Sequence, residues 1–467
     1  MLNRRRRCLI PRLLSLRAVS PAFISTLTRV LINPFPRSLR TVTEDEIGDD
    51  ENVPAEVVPA YHGYSKSGRI THAPIVYANL GRREDYIALE NAGISLKGAI
   101  ALVRYGGPFR GLKVRGAAQR GAVGCLIYTD PKEDGEMTEA NGHLPYPDGP
   151  ARQPSSIQRG SVQALSFYPG DPSTPGKPSY KHASRLDPEE ADSLPKIPSL
   201  PISYRDAAPL LRSLQGHGKS SSEMGKGWQG AVPGIEGDYW TGPSTDAVAS
   251  MENFGDLKVQ KIWNAYAIIP GHVSDEVVVL GNHRDAWTFG AGDPSSGSAV
   301  FEEMVKGFGQ MVKKGWKPLR TIMIASWDAE EQGLVGSTEH AEDYPDWIRE
   351  NVVAYLNLDV AVSGSVFGGR SSPSLTDLLA HVAEQVDDPT SPVGANKKLQ
   401  FPRGYALGSG SDFTAYLQHL GVASADMGFS RDGTDPVYHY HSQFDNFVSK
   451  AVRNRSCDCE LTQIFLF

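Results

Sequence analysis

Apolar runs and amphipathic stretches alternate along the second half of the chain, from about residue 246 onward. Continuous apolar runs at 276–283, 320–327 and 353–362 are typical of strands that are buried on both faces of a sheet. Apolar residues recur at helical spacing in 298–315, in 337–352 (where Pro345 interrupts the pattern) and in 373–386. This alternation predicts an α/β sheet with helices on both faces.

The first half of the chain has a different pattern. Short strand-like runs at 73–80, 98–106 and 121–130 are separated by Gly-rich and charged connections, as in a small β-rich domain. The segment 168–201 is so rich in Pro, Ser and Gly that we predict mostly loop there. We expect a β-rich domain with this Pro-rich loop at 43–245, an α/β domain at 246–450 and an irregular tail at 451–467.

Composition narrows the class of protein only a little. The 467 residues suffice for two or three domains, and 40% hydrophobic residues can form an ordinary core. A net charge of −7 gives no strong attraction to nucleic acid. The four Cys match neither a disulfide framework nor a zinc finger, and Cys125 lies in an apolar run, as a core residue would.

The leader, residues 1–42, is basic throughout. It carries nine Arg and no acidic residue, since the first acid is Glu44. This composition is typical of a mitochondrial transit peptide, and a disordered basic tail or a wrongly placed start codon are the alternatives. Its uncharged stretches are too short to span a bilayer.

Candidate metal ligands follow each of the three apolar strands of the second half. Since the carboxyl ends of parallel strands meet at one edge of a sheet, these side chains are expected to lie together. The candidates are His283, Asp285, Asp293, Asp328, Glu330, Glu331 and Asp359, followed much later by His439 and His441.

Taken one at a time, these residues have ordinary structural explanations. Asp328 and Glu331 fit a variant of the capping box, and Asp293 fits a turn. Those explanations do not account for several carboxylates at one edge of a sheet. At an effective dielectric near 20, two like charges about 4 Å apart repel by on the order of 4 kcal/mol. Two divalent cations would compensate three carboxylates, and oxygen and nitrogen ligands without thiolate suit catalytic zinc.

The motifs "HRDAWTFGAGDPSSG", "ASWDAEEQGLVGSTEH", "AYLNLD", "GSGSDF" and "YHYHSQFD" resemble those of the M28 metallopeptidases, in the glutamate carboxypeptidase II and transferrin receptor-like group. The resemblance covers about 60–450, and 109–131 resembles that group's protease-associated (apical) domain. It implies a mixed, mostly parallel zinc-exopeptidase sheet and two zinc ions. The implied ligands are His283 and Asp359 for one ion, Glu331 and His441 for the other, and Asp293 as the bridge.

The resemblance also implies catalytic roles. Glu330 would be the general base that takes a proton from the attacking water and passes it to the leaving amine, and Asp285 would orient His283. His439 is an alternative to His441, because residues two apart on a strand share a face. The order Tyr440-His441-Ser442 matches the family's pattern and favours His441.

Substrate and calcium sites are implied in the same way. Arg104 and Tyr440 would anchor a terminal carboxylate, with Gly410 also at the substrate. A calcium site joining the two domains would use Thr174, Lys177, Glu339 and Glu342, unless the last two only face solvent on a helix. No basic residue stands at the positions of the group's arginine patch, namely Gly369, Asp426 and Gly428, and Ala151 or Arg152 replaces the glutamate-reading Asn. We therefore expect no clear glutamate specificity.

The sequence thus predicts a di-zinc exopeptidase for small peptides, carboxypeptidase-like because of Arg104. An aminopeptidase or dipeptidase, a receptor-like binding protein and a truncated inactive homologue are the alternatives. We expect a peptide substrate and no nucleic acid. Family members are homodimers, but the helical dimerisation domain is not apparent in the sequence. Resemblance suggests a membrane-anchored protein of the secretory pathway, vacuole or cell surface, whereas the leader suggests mitochondria.

Overall fold

The computed structural model describes residues 42–47, 58–244, 247–392 and 395–446, together with the backbone of strand segments at 17–19, 22–23, 26–32 and 40–41. The strands are β1 (Arg17–Val19), β2 (Ala22–Phe23), β3 (Thr26–Ile32), β4 (Arg40–Thr41), β5 (His62–Gly63), β6 (Gly68–Tyr77), β7 (Ile100–Arg104), β8 (Gly124–Tyr128), β9 (Gly160–Ser161), β10 (Ser199–Ile202), β11 (Val248–Gly255), β12 (Lys258–Val259), β13 (Ile262–Ile269), β14 (Val273–His283), β15 (Arg320–Trp327), β16 (Val352–Asn357), β17 (Val366–Ser371) and β18 (Ser424–Ser430). The α-helices are α1 (Arg83–Asn91), α2 (Arg110–Gln119), α3 (Tyr204–Ser213), α4 (Ser221–Met224), α5 (Ser295–Lys313), α6 (Val335–Asp343), α7 (Pro345–Asn351) and α8 (Pro373–Ala383).

The C-terminal sheet has the strand order β1-β13-β15-β14-β16-β18-β17. Strands β15, β14, β16 and β18 run parallel to one another, while β13 and β17 pair antiparallel beside them. The register aligns His283 with Trp327, and Gly281 with Asn357. The carboxyl ends of β14, β15 and β16 therefore meet at one edge, which confirms the predicted α/β sheet.

Helices cover both faces of this sheet. Along β14, Val279 belongs to the apolar cluster that includes Ile348 of α7, whereas Leu280 belongs to the cluster that includes Met304 of α5. Successive side chains of a strand point to opposite faces, so burial of both faces requires an uninterrupted apolar run. The helical pattern at 337–352 is divided into α6 and α7, with Pro345 as the first residue of α7.

The N-terminal sheet has the order β10-β8-β7-β6-β11-β3-β4. Strands β6, β7, β8 and β10 are parallel, and α1 and α2 form the connections between β6, β7 and β8. Every residue of β7 and β8 is buried. The expected β-rich domain is thus built around parallel strands with helical connections.

The structure corrects the predicted domain boundary at 246. Strand β11 lies beyond that boundary but pairs antiparallel with β6, from Val248 opposite Pro74 to Asn253 opposite Gly68. It covers the edge that β6 would otherwise expose. The chain therefore passes to the C-terminal sheet only after Gly255.

The structure also bears on the two ends of the chain. Within the predicted leader, the backbone of β1 pairs with β13 and that of β3 pairs with β11, so these strand residues do not form a disordered tail. The targeting role stays a prediction, and the tail at 451–467 lies outside the described residues. None of the helices in the described ranges has the length and apolar character that crossing a bilayer requires.

Candidate metal centre

The predicted ligands converge at the carboxyl edge of the C-terminal sheet. Each is placed by the end of a strand or by a loop beside it. His283 ends β14, Glu330 and Glu331 follow β15, Asp359 follows β16, Asp293 precedes α5, and His441 lies in the loop after β18.

One half of the centre is built around His283. Its Nε2 lies 2.9 Å from Asp359 Oδ1 and 3.2 Å from Asp293 Oδ1. Its Nδ1 lies 3.0 Å from the main-chain oxygen of Asp285, which is the arrangement that presents Nε2 to the centre. Potential ligand atoms of His283, Glu330 and Asp359 all lie within 4.8 Å of one another.

The other half is built around His441. Its Nε2 lies 3.2 Å from Asp293 Oδ2 and 3.1 Å from Glu331 Oε2, and ligand atoms of these three residues also lie within 4.8 Å of one another. Asp293 therefore faces His283 with one oxygen and His441 with the other. This is the position that a bridging carboxylate would need.

The polar atoms of the centre fit metal ions. Asp293 Oδ1, Glu331 Oε1 and His441 Nε2 are buried and make no hydrogen bond in the structure. Buried ligand atoms that make no hydrogen bond are costly unless a cation faces them. Carboxylate and imidazole ligands with no thiolate suit a divalent ion such as zinc.

The protonation equilibria show the same excess of negative charge. Burial opposes a charge on His283, yet Asp359 and other carboxylates raise its pKa well above the ordinary value. Burial likewise opposes a charge on His441, but Glu331 and Asp293 raise its pKa to about 9. Burial raises the pKa of Glu331 to about 7. Protons are therefore drawn to the positions where cations would bind.

Asp285, just after β14, makes hydrogen bonds to the two glutamates that follow β15. Its Oδ1 accepts a hydrogen bond from the Glu330 N–H (3.0 Å), and its Oδ2 accepts one from the Glu331 N–H (3.1 Å). The carboxylate thus holds the adjacent glutamates. Its distance from His283 Nδ1 is 3.6 Å, so His283 is oriented chiefly by the main-chain oxygen of Asp285.

Asp445 holds the loop that carries Asp293 and was not predicted from the sequence. Its two carboxylate oxygens accept hydrogen bonds from the N–H groups of Gly292 (2.8 Å) and Asp293 (3.1 Å). The Tyr438 hydroxyl donates to the same carboxylate at 3.1 Å. Its signal in the sequence, an Asp four residues after His441, is too common to be informative.

His439 and Asp328 lie outside the centre. The two histidines are not on a strand as we expected, because the chain turns at His441, whose φ is +58°. The Nε2 of His439 accepts a hydrogen bond from the Gln153 N–H at 3.0 Å. Asp328 does not cap a helix; its carboxylate accepts a hydrogen bond from the Trp263 N–H at 2.7 Å.

The structure corrects the predicted role of Arg104 as an anchor of the substrate's terminal carboxylate. Its guanidinium is fully buried within the N-terminal sheet and donates to Asn79 Oδ1 (2.7 Å) and to the Gly227 oxygen (2.8 Å). A further ion pair joins it to Glu133 at 3.3 Å. With these partners the side chain supports its own domain, and the structure does not bring it to the metal centre.

Arg110, at the start of α2, reaches the centre instead. Although burial opposes its charge, Tyr440 and Glu331 are near enough to raise the pKa of its guanidinium. The guanidinium crosses directly over Gly160, where an added Cβ would collide with it. Its Nε is buried and has no acceptor.

The other two predicted substrate residues lie in loops. The Tyr440 ring stacks on the His441 imidazole, with 3.6 Å between ring centroids. Gly410 is exposed, and its N–H donates to Thr414 Oγ1 at 3.1 Å. The structure therefore brings Tyr440 to the centre, while Gly410 contributes an exposed turn in the loop between α8 and β18.

The predicted calcium residues meet where the Pro-rich loop crosses α6. The carboxylate of Glu339 accepts hydrogen bonds from the N–H groups of Asp171 (3.2 Å) and Ser179 (2.6 Å). Burial, followed by the Glu342 carboxylate, raises the pKa of Glu339 to about 9. Burial also raises the pKa of Glu342 to about 8.

Oxygen atoms of this group fit a hard cation. Thr174 Oγ1 and Glu342 Oε2 are buried and make no hydrogen bond in the structure. The Lys177 side chain is exposed, and its N–H donates to the Thr174 oxygen at 3.1 Å. Arg185 already pairs with Asp171, so a bound cation is what would compensate the two glutamates when they ionise.

The mixed α/β sheet thus brings two imidazoles and several carboxylates together in two adjoining groups of potential metal ligands. Residues 264–455 match the model of peptidase family M28, and residues 67–165 match that of the PA domain. The chain therefore carries a peptidase family M28 domain and a PA domain.

Two relatives and one solved structure illustrate the similarity. The chain is 48% identical over 417 residues to a probable glutamate carboxypeptidase of Arthroderma benhamiae, covering 87% of this chain and 56% of that protein. It is 36% identical over 431 residues to the aminopeptidase NAALADL1 of Mus musculus, covering 85% and 55% respectively. The chain therefore spans about half the length of these relatives. A zinc aminopeptidase from Bacillus subtilis shares the fold, with a TM-score of 0.53 and 16% identity over 96% of this chain and 84% of that one.

Proposed function

We propose that this chain is a two-zinc exopeptidase that hydrolyses small peptides. The observation that carries the proposal is the pair of adjoining His–carboxylate clusters, with one oxygen of Asp293 facing each imidazole. His283 and Asp359 would hold one zinc, and Glu331 and His441 the other. When bound, the two ions would polarise the scissile carbonyl and make the attacking water more acidic.

Glu330 is proposed as the general base. Its carboxyl is buried, and burial together with the Asp359, Asp412 and Glu331 carboxylates raises its pKa well above the ordinary value. Nearby cations would lower this pKa, and a carboxylate whose pKa lies near the working pH can accept a proton and return it. Glu330 would take a proton from the attacking water and deliver it to the leaving amine. Asp285 fixes its backbone for this task.

Arg110 and Tyr440 are proposed to bind the substrate's terminal carboxylate. The guanidinium of Arg110 is buried beside Tyr440, and its Nε has no acceptor. A guanidinium fork and a carboxylate match in geometry and charge. This favours carboxypeptidase activity. Aminopeptidase activity is the second candidate, because one 36% identical relative is named an aminopeptidase.

We propose that the chain has no clear specificity for glutamate and that a calcium ion binds between the domains. Gly369 and Gly428 lie on β17 and β18 and carry no charge, and Asp426 is acidic, so these positions offer no cation to an acidic side chain. Calcium would bind to Glu339, Glu342 and oxygen atoms of the loop at 174–177. There it would link α6 of the C-terminal half to the Pro-rich loop of the N-terminal half.

The test compares dipeptides with free and N-acetylated amino termini, using the purified full-length chain loaded with zinc. A carboxypeptidase releases the C-terminal residue from both, whereas an aminopeptidase acts only on free dipeptides. We expect release from the acetylated dipeptide, loss of activity on chelation and its return with zinc. A folded, zinc-loaded protein that releases no amino acid from either peptide would overturn the proposal.

A further inference from the structure

His441 has an unusual main-chain conformation for a metal-ligand candidate. Its φ of +58° lies in the left-handed region, which non-glycine residues adopt only when their surroundings hold them there. The Nδ1 atom lies 3.1 Å from the Arg159 oxygen, so that Nε2 points to Asp293 and Glu331. The contacts that hold His441 in this conformation therefore determine the geometry of the half of the centre that it forms with Asp293 and Glu331.

Arg159 contacts His441 through its main chain and its side chain. Its N–H and its Nη1 donate to the His441 oxygen, at 3.3 Å and 3.4 Å, and its own oxygen faces His441 Nδ1. The guanidinium is fully buried. Three polar contacts thus fix both the peptide and the imidazole of His441 to a single residue of the N-terminal half.

Glu44, the first acid of the chain, is the buried partner of Arg159. Its Oε2 accepts hydrogen bonds from Arg159 Nη1 (2.7 Å) and from the Gln443 N–H (3.0 Å). Its Oε1 accepts hydrogen bonds from the Ile157 N–H (2.8 Å) and from the Ser442 hydroxyl. Both side chains of the ion pair have zero exposure. One carboxylate thereby joins the segments 42–47, 157–159 and 441–443.

We propose that Glu44 and Arg159 are positioning residues that hold His441 in its left-handed conformation and present its Nε2 to the Asp293–Glu331 half of the centre. The inference rests on the proposed two-zinc function. Loss of the pair should weaken the zinc held by Glu331 and His441 much more than the zinc held by His283 and Asp359. A purely structural pair would lower stability and leave both zinc sites unchanged.

The experiment uses Glu44→Gln in the full-length chain. The matched control is Asp130→Asn, because Asp130 is also a buried carboxylate that accepts hydrogen bonds from two backbone N–H groups and two side chains, away from the centre. Thermal unfolding and zinc content per folded chain are measured together at fixed free zinc. We expect two zinc ions in the wild type and in Asp130→Asn, and about one in Glu44→Gln. Partners of metal ligands typically contribute about 10–100-fold in metal affinity, so raising free zinc should restore the second ion.

Each outcome decides the matter. Glu44→Gln with two zinc ions at the same free zinc, and a loss of thermal stability like that of Asp130→Asn, would overturn the inference while leaving the proposed function intact. A wild type with fewer than two zinc ions would overturn both. If Glu44→Gln does not fold, Glu44→Asp keeps the charge but shortens the side chain, and we expect a smaller weakening of the second zinc. An unchanged zinc titration for that variant would contradict the inference.

Discussion

Raising the pH without calcium should destabilise this protein through Glu339. Burial and then the Glu342 carboxylate raise the pKa of Glu339 to about 9, against 4.5 for an ordinary glutamate. Between about pH 5 and about pH 7 the unfolded chain therefore loses a proton that the folded chain keeps. A difference of one bound proton lowers the free energy of unfolding by about 1.36 kcal/mol for each pH unit. The free energy of unfolding should therefore fall by about 2–3 kcal/mol over this interval.

The sign follows from the direction of the shift. An acid whose pKa is raised on folding stabilises the protein fully below about pH 4.5, and this stabilisation is lost as the pH rises toward about 9. Calcium should reverse the loss at about pH 7, because it compensates the carboxylates as they ionise. The assay is urea unfolding of the zinc-loaded chain at the two pH values, with and without calcium.

Other groups also titrate in this interval, so the control is Glu339→Gln. The variant should show a pH dependence smaller by about 2–3 kcal/mol, together with a reduced response to calcium. The reasoning is refuted if wild type and variant show the same pH dependence and calcium leaves the unfolding of the wild type unchanged.

Three further predictions concern the metal centre. Glu330→Gln should lower kcat by about 10²–10⁴-fold with zinc content unchanged, and wild-type kcat in the variant would exclude it as the base. Asp285→Asn keeps one acceptor of two, so zinc affinity should fall by about 10–100-fold in a zinc titration; unaltered affinity would show that the contact to the Glu330 and Glu331 backbone is dispensable. Arg110→Gln should raise KM for N-acetylated dipeptides at least about tenfold, since a charge-assisted contact is lost, whereas Arg104→Gln should lower Tm and leave KM unchanged. Equal KM values for the two arginine variants would contradict the assignment of Arg110.

The strand-end residues of the centre could be predicted from the sequence for a physical reason. A strand that is buried on both faces is recognisable as an apolar run, and parallel strands end at one edge. His283, Glu331 and Asp359 lie at or within four residues of the carboxyl ends of β14, β15 and β16, so their meeting could be expected without knowledge of the longer loops. The position of Asp293 between the two imidazoles depended on the loop before α5, and there the resemblance to a family supplied what the pattern did not.

The contacts between the two halves of the chain could not be predicted. Arg104 ends a strand and Arg110 begins the next helix, and only the packing of that helix over Gly160 shows which guanidinium reaches the centre. The turn at His441 likewise separated it from His439. Glu44 is the first of several neighbouring acidic residues, a pattern that is typical of a solvent-exposed segment. Its burial follows from a partner 115 residues away, which no local pattern can indicate.

The most direct test of the central claim is the zinc content of the purified, folded, full-length chain, measured by elemental analysis against protein concentration. We predict two zinc ions per chain, their loss on chelation and their return on titration, because Asp293, Glu331 and His441 leave buried ligand atoms that a second cation must face. Fewer than two zinc ions per folded chain after titration with zinc would contradict the account.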